Sequence, residues 1–261
     1  VFIGLGMTVG TQAGALLLRV SFEAVAIASG LLYVVIAVLA VLFLPPVNVA
    51  EGEGDFWAGF RLAMRDKAFV IFIVLMAGQW FMSTQFFLTM PLAATAITGT
   101  AETIAIVTGI NSVVAVVLGY PMPRFVVSRI GAEQSLMLGV AISAVGVLVI
   151  GLADTLQVMI IGVALFSVGT TLVRPSEQTV AAGLANSAAL GSYFGLAALS
   201  VAVGGGIGNI AGGYLYDVGI RTSFTALPWL VCAGVGALTT IGLWLMDRDR
   251  LQRLSANSTR L

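Results

Sequence analysis

Histidine is absent from this chain, and cysteine occurs once, at Cys232 inside an apolar run. One thiol excludes a disulfide framework and a thiolate metal site. Without imidazole, any proton handling falls to carboxylates or water. Charge is also scarce: Asp, Glu, Lys and Arg make up 9% of the residues, against about 25% in soluble domains. The 12 basic and 12 acidic residues cancel, which leaves no basic face for nucleic acid. No phosphate-cradling loop, metal-ligand spacing or nucleophile–base pair occurs, so the sequence does not read as an enzyme. Nor does any charge fall in the middle of an apolar run. A charge there would cost about 2.5–3.5 kcal/mol on insertion scales and would mark a functional site by default. A voltage sensor, a retinal counter-ion site and a proton-pump core are therefore not expected in this stretch.

What the chain has instead is apolar length. Hydrophobic residues are 59% of the total and the mean hydropathy is +1.06. A bilayer core of about 30 Å takes about 20 such residues per helix. Eight spans are expected, over residues 1–18, 24–44, 68–88, 103–120, 135–153, 156–173, 192–215 and 227–246, which makes an all-α membrane protein. Pro45–Pro46 stop the second span, Pro91 follows the third, and Pro121 and Pro123 end the fourth. Residues 47–67 form the longest polar segment, and there Phe56, Trp57, Phe60, Leu62 and Met64 alternate with charges as in an interfacial amphipathic helix. The chain opens on Val1, in an apolar segment without a charged leader, and reads as a fragment rather than a signal peptide. Ten of the 12 basic residues fall in one set of loops and the tail, and only Arg19 and Arg221 in the other. The positive-inside rule makes the richer side cytoplasmic.

Two glycine stripes stand out. Gly204, Gly208 and Gly212, with Gly213 beside them, recur at i, i+4, i+8 within an uncharged run. Gly6, Gly10 and Gly14 repeat the spacing about six helices earlier. Small residues so spaced let helix backbones approach closely in lipid. Two readings stand: independent packing stripes, or the two copies of an internal six-helix repeat.

Sparse polar groups fall on faces. Gln79, Ser83 and Phe86 share one, Thr108, Asn111 and Ser112 another, and Phe166, Thr170 and Arg174 a third. Either they form interhelical hydrogen bonds, typically worth about 0.6 kcal/mol, or they line a water-accessible cavity for a small molecule. At the cytoplasmic ends, Arg174 and Glu177 at i, i+3 are placed to pair with each other or with Arg124 and Arg129. Such a charge lock would make and break between conformations; the plain alternative is an ordinary positive-inside loop.

With these residues in hand, the chain resembles the major facilitator superfamily, its drug/proton antiporter branch, and the MdtH-like multidrug efflux proteins within it. Gly6–Ala15 is similar to the antiporter signature G-x-x-x-G-P-x-x-G-G of the fifth helix, with Thr11 for proline and Ala15 for the last glycine. Gly204–Gly213 fits the same frame in the eleventh helix, with Asn209 at the proline position. Arg65–Lys67, Pro175–Ala185, Leu190–Gly195 and Gly212–Asp217 resemble MdtH-like connections. The loop Gly119–Gly131 stands where the family repeats a motif, with Pro123 in its acidic place. The resemblance implies helices five to twelve of a twelve-helix major facilitator fold. Residues 1–44 are then the end of one bundle, 45–67 a central cytoplasmic linker, 68–246 a six-helix bundle and 247–261 a cytoplasmic tail. It implies a monomeric carrier in the inner membrane that uses a proton gradient and no cofactor, with coupling carboxylates in the first four helices. The glycine-striped helices would lie at the bundle interface, sealing the cavity.

Three functions compete. Efflux of drugs or amphipathic compounds fits uncharged spans rich in Phe, Met and Trp. A carrier of a polar metabolite uses the same fold. A truncated membrane protein that binds a partner is the reading from another class.

Overall fold

The computed structural model describes residues 20–43, 56–100 and 102–258, with Gly10, Ala13, Gly14 and Leu17 besides. The chain divides into two units, Val1–Glu53 and Gly54–Leu261. Helix α1 (Phe22–Phe43) belongs to the first; its mean hydropathy is 2.8 and it has no buried residue. The second unit holds α2 (Phe56–Arg65), α3 (Lys67–Thr98), α4 (Glu102–Leu118), α5 (Pro121–Ile130), α6 (Ala132–Gly151), α7 (Leu156–Leu184), a 3₁₀ turn Ser187–Ala189, α8 (Leu190–Arg221) and α9 (Leu227–Ser258). No strand occurs among the described residues. Among the described residues six helices are long and apolar enough to cross a membrane, and α4 with α5 makes a seventh if that pair, bent by 59°, is one span. The expected first span, residues 1–18, lies for the most part outside the described residues.

Local chemistry sets the ends. Asp66 caps α3, its Oδ1 accepting from the Ala68 and Phe69 amides at 3.1 and 3.2 Å, and so satisfies donors that no helix bond reaches. Gly99, in left-handed conformation at φ 73°, closes the same helix. Thr155 and Asn186 cap α7 and the 3₁₀ turn.

Two expectations need correcting. Pro91 does not follow α3 but lies inside it, and Pro175 lies inside α7, which runs on to Leu184. Proline is tolerated in membrane helices because neighbouring groups meet the freed backbone. The segment holding Arg124 and Arg129 is no loop but helix α5, with Pro121 in its first turn. Residues 56–65, expected as an amphipathic helix, form α2, which packs within the second unit. Its contact face is Gly59, Phe60 and fully buried Ala63, while Trp57, Leu62 and Met64 stay exposed.

Two apolar clusters fill the unit, one through Phe69, Phe72, Met76, Leu136 and Leu243, the other through Met82, Phe86, Val163, Phe166 and Trp229. Gln79, 2% exposed, stands on α3 between the two groups of α3 residues. The closest pairings are α6 with α7, α3 with α8 and α9 with α6.

Candidate functional site: the cleft between α3, α7 and α8

The second glycine stripe fixes α8 on α3. A methyl group at Gly204 would fall 2.8 Å from the Ala77 Cα, and one at Gly208 would fall 2.8 Å from the Phe81 carbonyl oxygen. One at Gly212 would fall 2.7 Å from Gln85 Nε2. The same register continues to Tyr193, whose hydroxyl donates to Asp66 Oδ2 at 3.1 Å, so the two helices run parallel. The stripe packs closely on α3 within its own unit. Gly213 is off this face, with open space around it. Of the first stripe, Gly6 lies outside the described residues. Gly10 and Gly14, in the first unit, have nothing within 4 Å of an added methyl.

Gln85 is one residue that sequence reasoning missed. It is fully buried, and its Nε2 donates to the Gly208 carbonyl of α8 at 2.8 Å, while its Oε1 accepts from Thr89 at 3.1 Å. Its signal was a second amide in the same apolar helix, one face away from Gln79.

The candidate cavity residues are brought together in part. Phe86 and Phe166 stack across α3 and α7, with centroids 5.4 Å apart and planes 10° from parallel. Gln79 Nε2 donates to Ser83 Oγ at 3.0 Å, and Gln79 Oε1, though buried, accepts no hydrogen bond from the described residues. Asn111 of α4 accepts from Ser167 of α7 at 2.9 Å. Thr108 and Thr170 turn their hydroxyls to their own helix carbonyls, at 2.7 and 2.9 Å. Gln79 and Phe86 are buried, Phe166 is buried with them, and Ser83, Asn111, Thr108 and Thr170 are half-buried.

The expected charge lock takes another form. Arg124 donates to Tyr120 Oη at 2.8 Å and Arg129 lies 4.8 Å over the Phe125 ring, both exposed on α5. Arg174 and Glu177 turn instead to Trp80 of α3. The Arg174 guanidinium lies 5.0 Å over the indole ring, and the indole N–H donates to Glu177 Oε1 at 3.3 Å. Because α7 continues through Pro175 to Leu184, both charges are helical, with Glu177 about 10 Å before the helix end at 1.5 Å per residue. No loop holds them, contrary to expectation. They line an open cavity of about 210 Å³ between α3, α7 and α8, with Gln178, Phe194, Val201 and three alanines as the rest of its wall. Such a mixed lining, an aromatic face with opposite charges at one edge, has the chemistry to take an amphipathic molecule by its apolar body and to orient its polar end.

Comparison with known proteins agrees with this architecture. The multidrug resistance protein MdtH of Sodalis glossinidius is 31% identical over 242 residues, which are 93% of this chain and 60% of that protein. MdtH of Yersinia enterocolitica is 29% identical over 95% of this chain and 62% of its own length. MdtH of Salmonella arizonae is 29% identical over 98% of this chain and 64% of its own length. The chain spans about three fifths of the curated relatives it matches. Residues 75–260, well over half of the sequence and all of α4 to α9, match the Major Facilitator Superfamily, and the chain belongs to that superfamily.

Proposed function

We propose that this chain is part of a secondary active transporter that exports drugs or other amphipathic compounds by alternating access. The observation that carries the reading is its similarity, over nearly all of its length, to proteins named for multidrug resistance. The cleft beside Trp80 supports it, because its wall offers ring faces and small apolar groups more than a fixed set of hydrogen-bond partners. In this reading Gln79, Ser83, Asn111, Thr108 and Thr170 lie along the route, with the Phe86–Phe166 stack as its apolar floor. The energy source is the proton gradient, the protein is a monomer of the inner membrane, and α2 and the tail are cytoplasmic, a placement that the distribution of basic residues supports. Rocking of one helical bundle against another would open each side in turn.

The test is expression from the complete gene in a strain stripped of its own efflux pumps. Raised tolerance to several unrelated drugs is expected, together with dye export that stops when a protonophore collapses the gradient. Unchanged tolerance and no dye export from a protein present in the membrane would overturn the reading. Export of a polar metabolite instead would select the nutrient-carrier alternative.

A further inference from the structure

Trp80 is held from two directions at once. Its ring edge is pinned by Glu177, through the indole N–H, and its ring face is covered by the Arg174 guanidinium. Arg174 is itself exposed, on a long flexible stem that can carry its charge outward to water. Beyond these three the cavity wall has no charged group; Gln178 is its only other polar side chain, and Phe194 and Val201 are partly open to the cavity. The indole face attracts a cation through its quadrupole. A carboxylate at the ring edge attracts the same cation, and both repel an anion.

We infer that this cleft is a binding site for a lipophilic organic cation, and that Arg174 is a resident surrogate which the ligand displaces from Trp80. The ligand's charge takes the position of the guanidinium, over the ring and beside Glu177, and its apolar body lies against Phe194 and Val201. A neutral amphipath gains the walls but cannot replace the guanidinium. An anion meets the carboxylate and the negative ring face. Arg174 therefore excludes weak competitors while the site is empty, and the indole N–H holds the carboxylate. The ligand class rests on the efflux reading; the displacement rests on the geometry of these three side chains.

Equilibrium dialysis of the purified full chain in detergent tests this, with tetraphenylphosphonium as the probe and tetraphenylborate as an anion of the same size and shape. Saturable binding of the cation alone is expected. Glu177→Gln keeps an acceptor for the indole N–H and removes the charge, and it should weaken the cation roughly ten-fold or more. Arg174→Ala removes the competitor and should tighten it roughly three- to ten-fold. Arg174→Lys, which stacks less well, should tighten it less, and it serves if the alanine variant does not fold. Equal binding of the anion, no binding of the cation, indifference to Glu177→Gln, or weaker binding in both Arg174 variants would each overturn the inference. Drug export by a protein that fails this test leaves the efflux reading standing and removes the cation site. Charge-selective binding by a protein that exports nothing does the reverse.

Discussion

Helices α6 and α7 approach each other through glycines on both sides, whereas α3 and α8 do so through glycines on α8 alone. In the first pair, Gly139 faces Gly169 and Gly146 faces Gly162, an antiparallel hairpin. A methyl at Gly139 or Gly146 would fall 2.9 or 2.8 Å from the opposite glycine's carbonyl oxygen. In the second pair, Gly204, Gly208 and Gly212 receive Ala77, Phe81, Thr84 and Gln85, so one backbone meets a row of side chains and carbonyls. The hairpin is backbone against backbone at Gly146, and at Gly139, Gly162 and Gly169 backbone shares the contact with the side chains of Leu172, Val173, Ile150 and Ser143. The parallel pair meets backbone alone at Gly204, the Thr84 hydroxyl and Phe81 backbone at Gly208, and the flexible Gln85 amide at Gly212, from which it gains an interhelical hydrogen bond. Lipid offers no hydrophobic drive between helices, so both pairs depend on close approach, and they differ in how much error they can absorb.

Substitutions can break that contrast. The largest effect is expected from Gly146→Leu, which forces α6 off the Phe166 and Gly162 backbone. Overpacking of this kind costs about 1–3 kcal/mol or more, and at a rigid seam the upper end applies. The variant should lose monodisperse protein on size-exclusion chromatography after extraction. Gly208→Leu should come next: insertion and expression persist, the unfolding temperature falls, and drug export is lost. Export at the unaltered level would remove the account of this seam. Gln85→Leu deletes the hydrogen bond to Gly208 and should cost about 0.6–1.7 kcal/mol, seen as a modest thermal shift. If it costs more than Gly208→Leu, the amide and not the glycine holds the pair. Gly213→Ala, with open space around it, should change stability by less than about 0.5 kcal/mol. A large effect there would mean that the stripe has a second face.

The helices themselves were legible in the sequence because apolar length and scarce charge mark them whatever their neighbours. The stripe at Gly204–Gly212 was legible because its period is that of one helix face. Its partner was not. Only the fold shows that Ala77, Phe81 and Gln85 lie opposite. The hairpin glycines were missed for a related reason: they recur at seven residues, Gly139 with Gly146 and Gly162 with Gly169, and each pair alone is an ordinary feature of a membrane helix. Pro91 and Pro175 misplaced two boundaries, since a rule drawn from water treats proline as a stop. In α3 the turn after Pro91 is held by hydroxyls, Thr95 donating to the Pro91 carbonyl at 3.1 Å and Thr98 to Ala94 at 3.1 Å. That second boundary error also hid the cleft. With α7 ended at Val173, Arg174 and Glu177 read as loop charges, and Trp80 had no reason to be singled out.

Asp66 is the one residue between α2 and α3, and it serves three helices: it follows α2, caps α3 and accepts from Tyr193 at the start of α8. About two turns earlier, Gly59 of α2 rests on Ser192 of α8. A tug on the chain ahead of α2 therefore does not arrive at a single hinge. It is shared between two parallel rods clamped at the same end, and these rods carry two of the three walls around Trp80. The joint has the form of a yoke: a displacement of α2 would load α3 and α8 together, and with them two walls of the cleft that faces α7.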